Sequence, residues 1–309
     1  MRNAWTLTKV RMRLALRNRA FIFFGFIFPL IILVPVLAYF ARYAPAAIPY
    51  ALSSVLAITV MGSFQGLSVQ LVTFREQGIL RRFRVAPVGP GAMLASSILS
   101  NYILTLPIVS VEFVLARRVF HMSQWGNLGG AFVLVSVGVV TFAALGLIVA
   151  SVTNSTQETQ VINQLVWSAF LLLSGATLPL PILPIWLQRL ALFLPATYLV
   201  TGLERVMVAR VGITHIGAEI TALAVSAAMA FFLSQQLFRW EPEAKVGSRA
   251  KVLATATIVP FLLLGLWETA HGTVRSAARS DFLSIERNPP AERPSPGPAE
   301  RPAPLTSPR

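Results

Sequence analysis

Six stretches of largely apolar residues, at about 20–40, 48–74, 92–116, 127–150, 160–180 and 214–238, each come near the ~20 residues a helix needs to cross ~30 Å of hydrocarbon. Such runs leave a chain few options, because inside a bilayer every backbone N–H and C=O has to be satisfied by the protein itself. The expectation is an all-α polytopic membrane protein with a six-span domain over 20–240. The composition agrees: 55% of the 309 residues are hydrophobic and 12% charged, against about 25% charged in an ordinary soluble domain. A net charge of +14 would point to nucleic acid in a soluble protein. Here the basic residues cluster beside apolar runs, so a membrane surface explains them and no nucleic-acid partner is expected.

The first run, 20–40, is longer than the hydrophobic region of a signal peptide and has no small-x-small site before further spans, so it is read as an uncleaved first span. Charge then orients the set. With the N-terminus cytoplasmic, the inner segments hold Arg2, Lys9, Arg11, Arg13, Arg17, Arg19, Arg75, Arg81, Arg82, Arg84, Arg239, Lys245, Arg249 and Lys251. The outer segments hold only Arg42, Arg117, Arg118, Arg189, Arg205 and Arg210, which is the asymmetry that keeps basic loops inside. Within 1–19, Lys9, Arg13 and Arg17 recur every four residues and Leu7, Val10 and Leu14 at three and four. This pattern suits an amphipathic helix in the cytoplasmic headgroup layer with Trp5 as anchor; the plainer alternative is a charged leader that only orients the first span.

Past the sixth run, 241–285 is a basic linker with a seventh apolar stretch, 252–267, broken by Pro260 and Gly265. At 16 residues it is marginal for a crossing, and it either spans or folds back at the interface. The tail 286–309 has eight prolines in 24 residues and is expected to be disordered. Pro29, Pro35 and Pro107 fall inside spans, where neighbouring helices can satisfy the carbonyls they free; they stand either for hinges or simply for shape.

Catalytic groups are sparse. Asp281 is the sole aspartate, and His121, His215 and His271 stand apart from one another with no metal-ligand spacing. No Gly-x-x-x-x-Gly-Lys phosphate loop occurs, and the three lysines at 9, 245 and 251 leave none hidden. The chain is therefore read as a non-enzyme that binds no metal or cofactor. Glu112 is the carboxylate placed well inside a span, four residues from its expected outer end. Such an acid is a candidate proton or cation site, or a structural group reaching headgroups; the structural reading is preferred. Asn101, Gln65 and Gln70 are polar positions within spans, with interhelical hydrogen bonding as their common use and Asn101 as a further candidate for the path.

Two loops carry more information. The sixteen residues 75–90 contain four arginines between two long apolar runs. Ile79, Leu80 and Phe83 lie at helical spacing, Arg81, Arg82 and Arg84 surround them, Gly78 permits a sharp turn and Pro87 stops it, so a soluble protein could dock there. Between the fifth and sixth runs come Ser174-Gly175, Pro179, Pro184, Trp186, Pro195, Tyr198 and Arg205. Four prolines exclude one continuous helix; the fifth span is expected to end early, followed by short helices dipping into the outer leaflet with Trp186 and Tyr198 at the interface. Backbone of that kind needs cover from protein or water, and it would form a lid over a path.

Together with Glu76-Gln-Gly78-Ile79-Leu80-Arg81-Arg82-Phe83-Arg84-Val-Ala-Pro87-Val, this outer segment resembles the permease subunit of type-2 ABC transporters, the exporter class that includes drug-resistance permeases. The resemblance spans roughly 1–240; Ile79 and Ala86 replace threonines, and Arg75 stands where an acid is frequent. It implies two permeases in a homo- or heterodimer, two separate ATPase subunits carrying ATP and magnesium, and the 75–90 loop as a cytoplasmic coupling helix. ATP would close the ATPases, push that helix, tilt the first, second and fifth spans and open the path outward. It also implies a bacterial or archaeal plasma membrane, with Arg81, Arg82 and Arg84 meeting an acidic groove or lipid phosphates. An apolar path without a charged ring favours an amphipathic, lipid-like or drug-like substrate over a small ion. Two other classes stay open: an ATPase-independent transporter or channel using Glu112, and a lipid-modifying membrane enzyme, against which the thin acid and histidine inventory argues.

Overall fold

Pro49 and Pro90 sit in the first turns of the two longest helices, where a missing N–H costs nothing because those donors have no partner within the helix. The computed structural model describes residues 27–80, 89–122 and 125–238, with the short pieces 8–9, 12–13, 16–17 and 265–266. Its main helices are α1 Phe28–Tyr43, α2 Ile48–Glu76, α3 Pro90–Arg118, α4 Leu128–Val152, α5 Thr156–Leu173, α6 Ile185–Ala191, α7 Pro195–Met207 and α8 Gly217–Leu237. No strand occurs among the described residues. The expectations for 1–19, 241–285 and 286–309 concern residues that lie almost wholly outside the described ones.

Four of these helices, α2, α3, α4 and α8, are long and apolar enough to cross a membrane, α2 together with the turn before it. The pair α6 and α7 passes the same test jointly but is bent by 99°. Six spans were expected; α1 is described from Phe28 as a shorter apolar helix, and α5 has a polar first half with Gln157, Glu158, Gln160, Asn163 and Gln164. Large apolar side chains such as Ile31, Val114, Phe132, Leu165 and Phe232 face outward on five different helices. On α3, α4 and α8, which are long and apolar enough to span, outward side chains of this kind suit lipid contact.

The helix α2 is the hub, packed against α1, α3, α4, α5 and α7. Its closest partner is α4, and the reason is a missing side chain. A Cβ at Gly146 would lie 2.3 Å from the Phe64 carbonyl oxygen, so the two backbones touch at a distance that only glycine allows. Close approach of this kind holds helices together in lipid, where burying apolar surface between helices gains little. Phe64, Phe142 and Phe170 then meet edge to face, with centroids 5.6 and 5.4 Å apart, joining α5 to the α2–α4 seam. Hydroxyls and amides lock neighbours further: Tyr102 with Ser136 at 2.9 Å between α3 and α4, and Thr141 donating to the Leu223 carbonyl at 2.9 Å between α4 and α8.

Asn127 pins one end of the bundle. Its side-chain oxygen accepts from the Gly130 N–H and caps α4, while its amide donates to the Val211 carbonyl and its backbone N–H to the Val206 carbonyl. Gly126 beside it has φ +61, and a Cβ there would meet Met207 Cα at 2.7 Å.

Candidate functional site

At the end of the bundle where α2 stops, Arg75 and Glu76 turn to different partners. Arg75 is 2% exposed, and its guanidinium donates to the carbonyls of Ala150, at 3.0 Å, and Thr153. Those carbonyls end α4 and lack intrahelical donors, so a cation there satisfies hydrogen-bonding need and helix dipole together. Glu76 is exposed, and its carboxylate accepts from the Thr156 N–H at 2.8 Å and the Thr156 hydroxyl at 2.6 Å, at the first residue of α5. The break between α4 and α5 is itself capped, since Ser155 Oγ accepts from the Glu158 N–H and Glu158 accepts from the Asn154 N–H.

Gly78 follows at φ +67, a left-handed conformation that suits glycine and ends α2. Ile79 is half-buried, whereas Leu80, expected on a docking face, is fully buried in a cluster with Leu71, Met93, Leu94 and Leu147. Burial inside its own chain removes Leu80 from any exposed contact face. Arg81, Arg82, Phe83, Arg84 and Pro87 lie outside the described residues.

Between α2 and α5 lies an open groove of about 470 Å³ lined by Gln65, Val69, Gln160, Val161, Asn163 and Gln164. Four carboxamides and two valines carry no charge. Asn163 is buried, donates to Ser68 Oγ at 2.7 Å and leaves its side-chain oxygen without a partner. The groove can therefore hydrogen-bond neutral polar groups and pack apolar ones. Asn101 faces elsewhere: its oxygen receives a 3.4 Å contact from Thr105 on its own helix and its amide nitrogen is buried without a partner.

Glu112 does not reach headgroups. It is fully buried on α3, accepts from Thr59 Oγ1 of α2 at 2.6 Å, and its second oxygen has no partner among the described residues. Counting residues from the end of a span missed this, because α2 runs alongside α3 and covers the site. Thr59 gave no signal in the sequence, since a threonine inside an apolar run is ordinary.

At the opposite end, Ser174 closes α5, and Gly175 at φ +96 turns the chain away. Pro179 precedes a 3-10 turn over Leu180–Ile182, Pro184 caps α6, and Pro195 opens α7. Trp186 is 64% exposed, as an interfacial anchor would be. Tyr198 is not such an anchor: it is 3% exposed and its hydroxyl donates to the Leu192 carbonyl at 2.9 Å, fixing the α6–α7 corner. Thr197 does the same to the Ala191 carbonyl at 2.6 Å. Arg205 pairs with the fully buried Glu219 on α8, a partner that sequence reading overlooked although it stands in the first turn of its helix.

Long apolar helices with large apolar side chains facing outward, a glycine-dependent seam and buried polar pairs between helices define an integral, multi-pass helical membrane protein. Residues 2–208 match the family described as ABC-2 type transporter, and the chain belongs to that family. It is 25% identical over 157 residues to the linearmycin resistance permease protein LnrN of Bacillus subtilis (strain 168), covering 51% of this chain and 40% of that protein. It is also 30% identical over 117 residues to nodulation protein J of Rhizobium leguminosarum bv. trifolii, covering 38% of this chain and 44% of that one. Nodulation protein J of Rhizobium meliloti (strain 1021) matches to the same extent. The chain thus spans less than half the length of these relatives.

Proposed function

We propose that this chain is the permease subunit of an ATP-driven exporter, forming the membrane path as a dimer and driven by a separate ATPase that holds ATP and magnesium. In this reading α1 and α5 complete six spans, the N-terminus and the 75–90 loop are cytoplasmic, the bent α6–α7 pair is a re-entrant segment on the outer side, and the membrane is a bacterial or archaeal plasma membrane. The observation that carries it is the ABC-2 match over 2–208 in a chain with no phosphate loop of its own. A membrane subunit without a nucleotide site needs an outside motor, and the loop after α2 is where one can push.

The groove between α2 and α5 supports a neutral amphipathic, lipid-like or drug-like substrate, because among the described residues no ionisable group lines it to hold an ion. A resistance permease among the relatives points the same way. Copurification from mild detergent tests the reading. A soluble ATPase should accompany the chain in stoichiometric amount, and Arg81→Glu with Arg82→Glu should release it. Loss of nothing in that double variant would remove the loop from the interface.

A second reading has one specific observation behind it, the buried Glu112 carboxylate with an unpartnered oxygen. An ATPase-independent transporter using that acid would keep working without the ATPase and stop on Glu112→Gln.

A further inference from the structure

Arg75 and Glu76 are consecutive residues on a helix, so their side chains leave it about 100° apart. One reaches the end of α4 and the other the start of α5. We infer that this pair is a clamp that stays closed throughout the transport cycle and makes the end of α2, the α4–α5 break and the first turn of α5 a single moving body. The inference rests on the exporter reading above and assigns Arg75 and Glu76 a positioning role inside the permease.

Three features carry it. The contacts are matched in sign to both helix ends, with the guanidinium on the carbonyl end of α4 and the carboxylate on the N–H end of α5. The break between them is braced independently: Thr159 Oγ1 donates to Thr153 Oγ1 at 2.8 Å, and the Ser155 and Glu158 caps fix residues 154–158. Thr73 adds a 3.4 Å hydroxyl contact to Thr156, so α2 meets α5 on two successive turns. Immediately past the clamp, the left-handed Gly78 ends the regular helix. A push on the loop therefore enters a rigid block, and α5 has to move with α2. Since these two helices form the walls of the carboxamide groove, the block shifts both walls together at this end and leaves relative motion to the far end of α5, near Gly175.

The chain has no cysteine, which permits single-site labelling. A nitroxide on Leu172→Cys, exposed in the last turn of α5, reports on the far end of that helix in the complex with its ATPase, reconstituted in lipid nanodiscs. ATP, magnesium and vanadate should change its spectrum in the parent. In Thr156→Pro, which removes both donors to Glu76 and is tolerated at the first residue of a helix, the ATPase should still copurify and hydrolyse ATP, while the change at position 172 falls at least fivefold. An unchanged response in that variant overturns the clamp. A second arm does not depend on the variant's stability: Glu76→Cys with Thr156→Cys, oxidised to a disulfide, should hydrolyse ATP within twofold of its reduced form. Hydrolysis that stops on oxidation and returns with reductant would mean that the clamp has to open, and overturns the inference. Absence of an ATPase from the parent preparation overturns the exporter reading itself, and the clamp's role with it.

Discussion

Replacing Gly146 by alanine tests the α2–α4 seam at its tightest point. The added Cβ would stand 2.3 Å from the Phe64 carbonyl oxygen and 3.1 Å from its carbonyl carbon, and ordinary contacts begin near 3.4 Å. Both neighbours are backbone within long helices, so no rotamer change relieves the clash and the helices must separate by about 1 Å. A gap of 0.5–1 Å forfeits roughly a quarter to a half of each dispersion contact along the seam. Overpacking of this kind costs about 1–3 kcal/mol, and a rigid backbone partner puts Gly146→Ala at the upper end. Gly66→Ala is the control on the same seam's other helix, because nothing lies within 4 Å of its Cβ position. Thermal unfolding in detergent, followed by loss of the monodisperse peak, should show Gly146→Ala falling several degrees below the parent and Gly66→Ala matching it. Equal stability of the two variants would refute the close approach and with it the packing of α2 on α4.

Thr59→Val removes the single hydrogen bond to a buried carboxyl and should cost about 1–3 kcal/mol in denaturant unfolding, whereas Glu112→Gln keeps an acceptor for the Thr59 hydroxyl and should cost less. Arg205→Ala strands the fully buried Glu219 and should cost about 3 kcal/mol or more, while Arg205→Met with Glu219→Leu should recover most of that loss in the same unfolding assay. Gly126→Ala meets both a left-handed backbone and Met207 Cα at 2.7 Å, and should loosen the Asn127 corner, seen as faster hydrogen exchange at Asn127 and Gly130.

Helices set by uninterrupted apolar runs were legible to within a few residues: 48–74 became Ile48–Glu76, 92–116 became Pro90–Arg118 and 127–150 became Leu128–Val152. The fifth apolar run predicts a span over 160–180, yet its helix is Thr156–Leu173. Hydropathy located the run by its apolar half, whereas the helix begins at the Ser155 cap with Glu158 three residues on, a local signal that hydropathy does not weigh. In the sequence, Arg75 stands as one of a set of loop charges. Its partners are carbonyl oxygens, which every residue has, so no side-chain pattern could have announced its burial. Glu112 and Thr59 are 53 positions apart, and only the packing of α2 on α3 brings them together. The paired interior of this site is tertiary information, while the Gly175 turn and the prolines around α6 were readable as they stand.

The polar first half of α5 has a consequence for how the protein is made. In the six-span arrangement proposed above, this helix is too hydrophilic to partition into lipid unaided, and its amides and hydroxyls find partners on α2: Ser68 for Asn163 and Glu76 for Thr156. Those partners emerge from the ribosome about eighty to ninety-five positions earlier. On that proposal the nascent chain keeps α2 beside the insertion site until α5 arrives, and α5 enters the bilayer as cargo of a helix already there. A chain stopped near residue 153 should insert stably, and α5 fused alone to a reporter should be left on the side where it was synthesised.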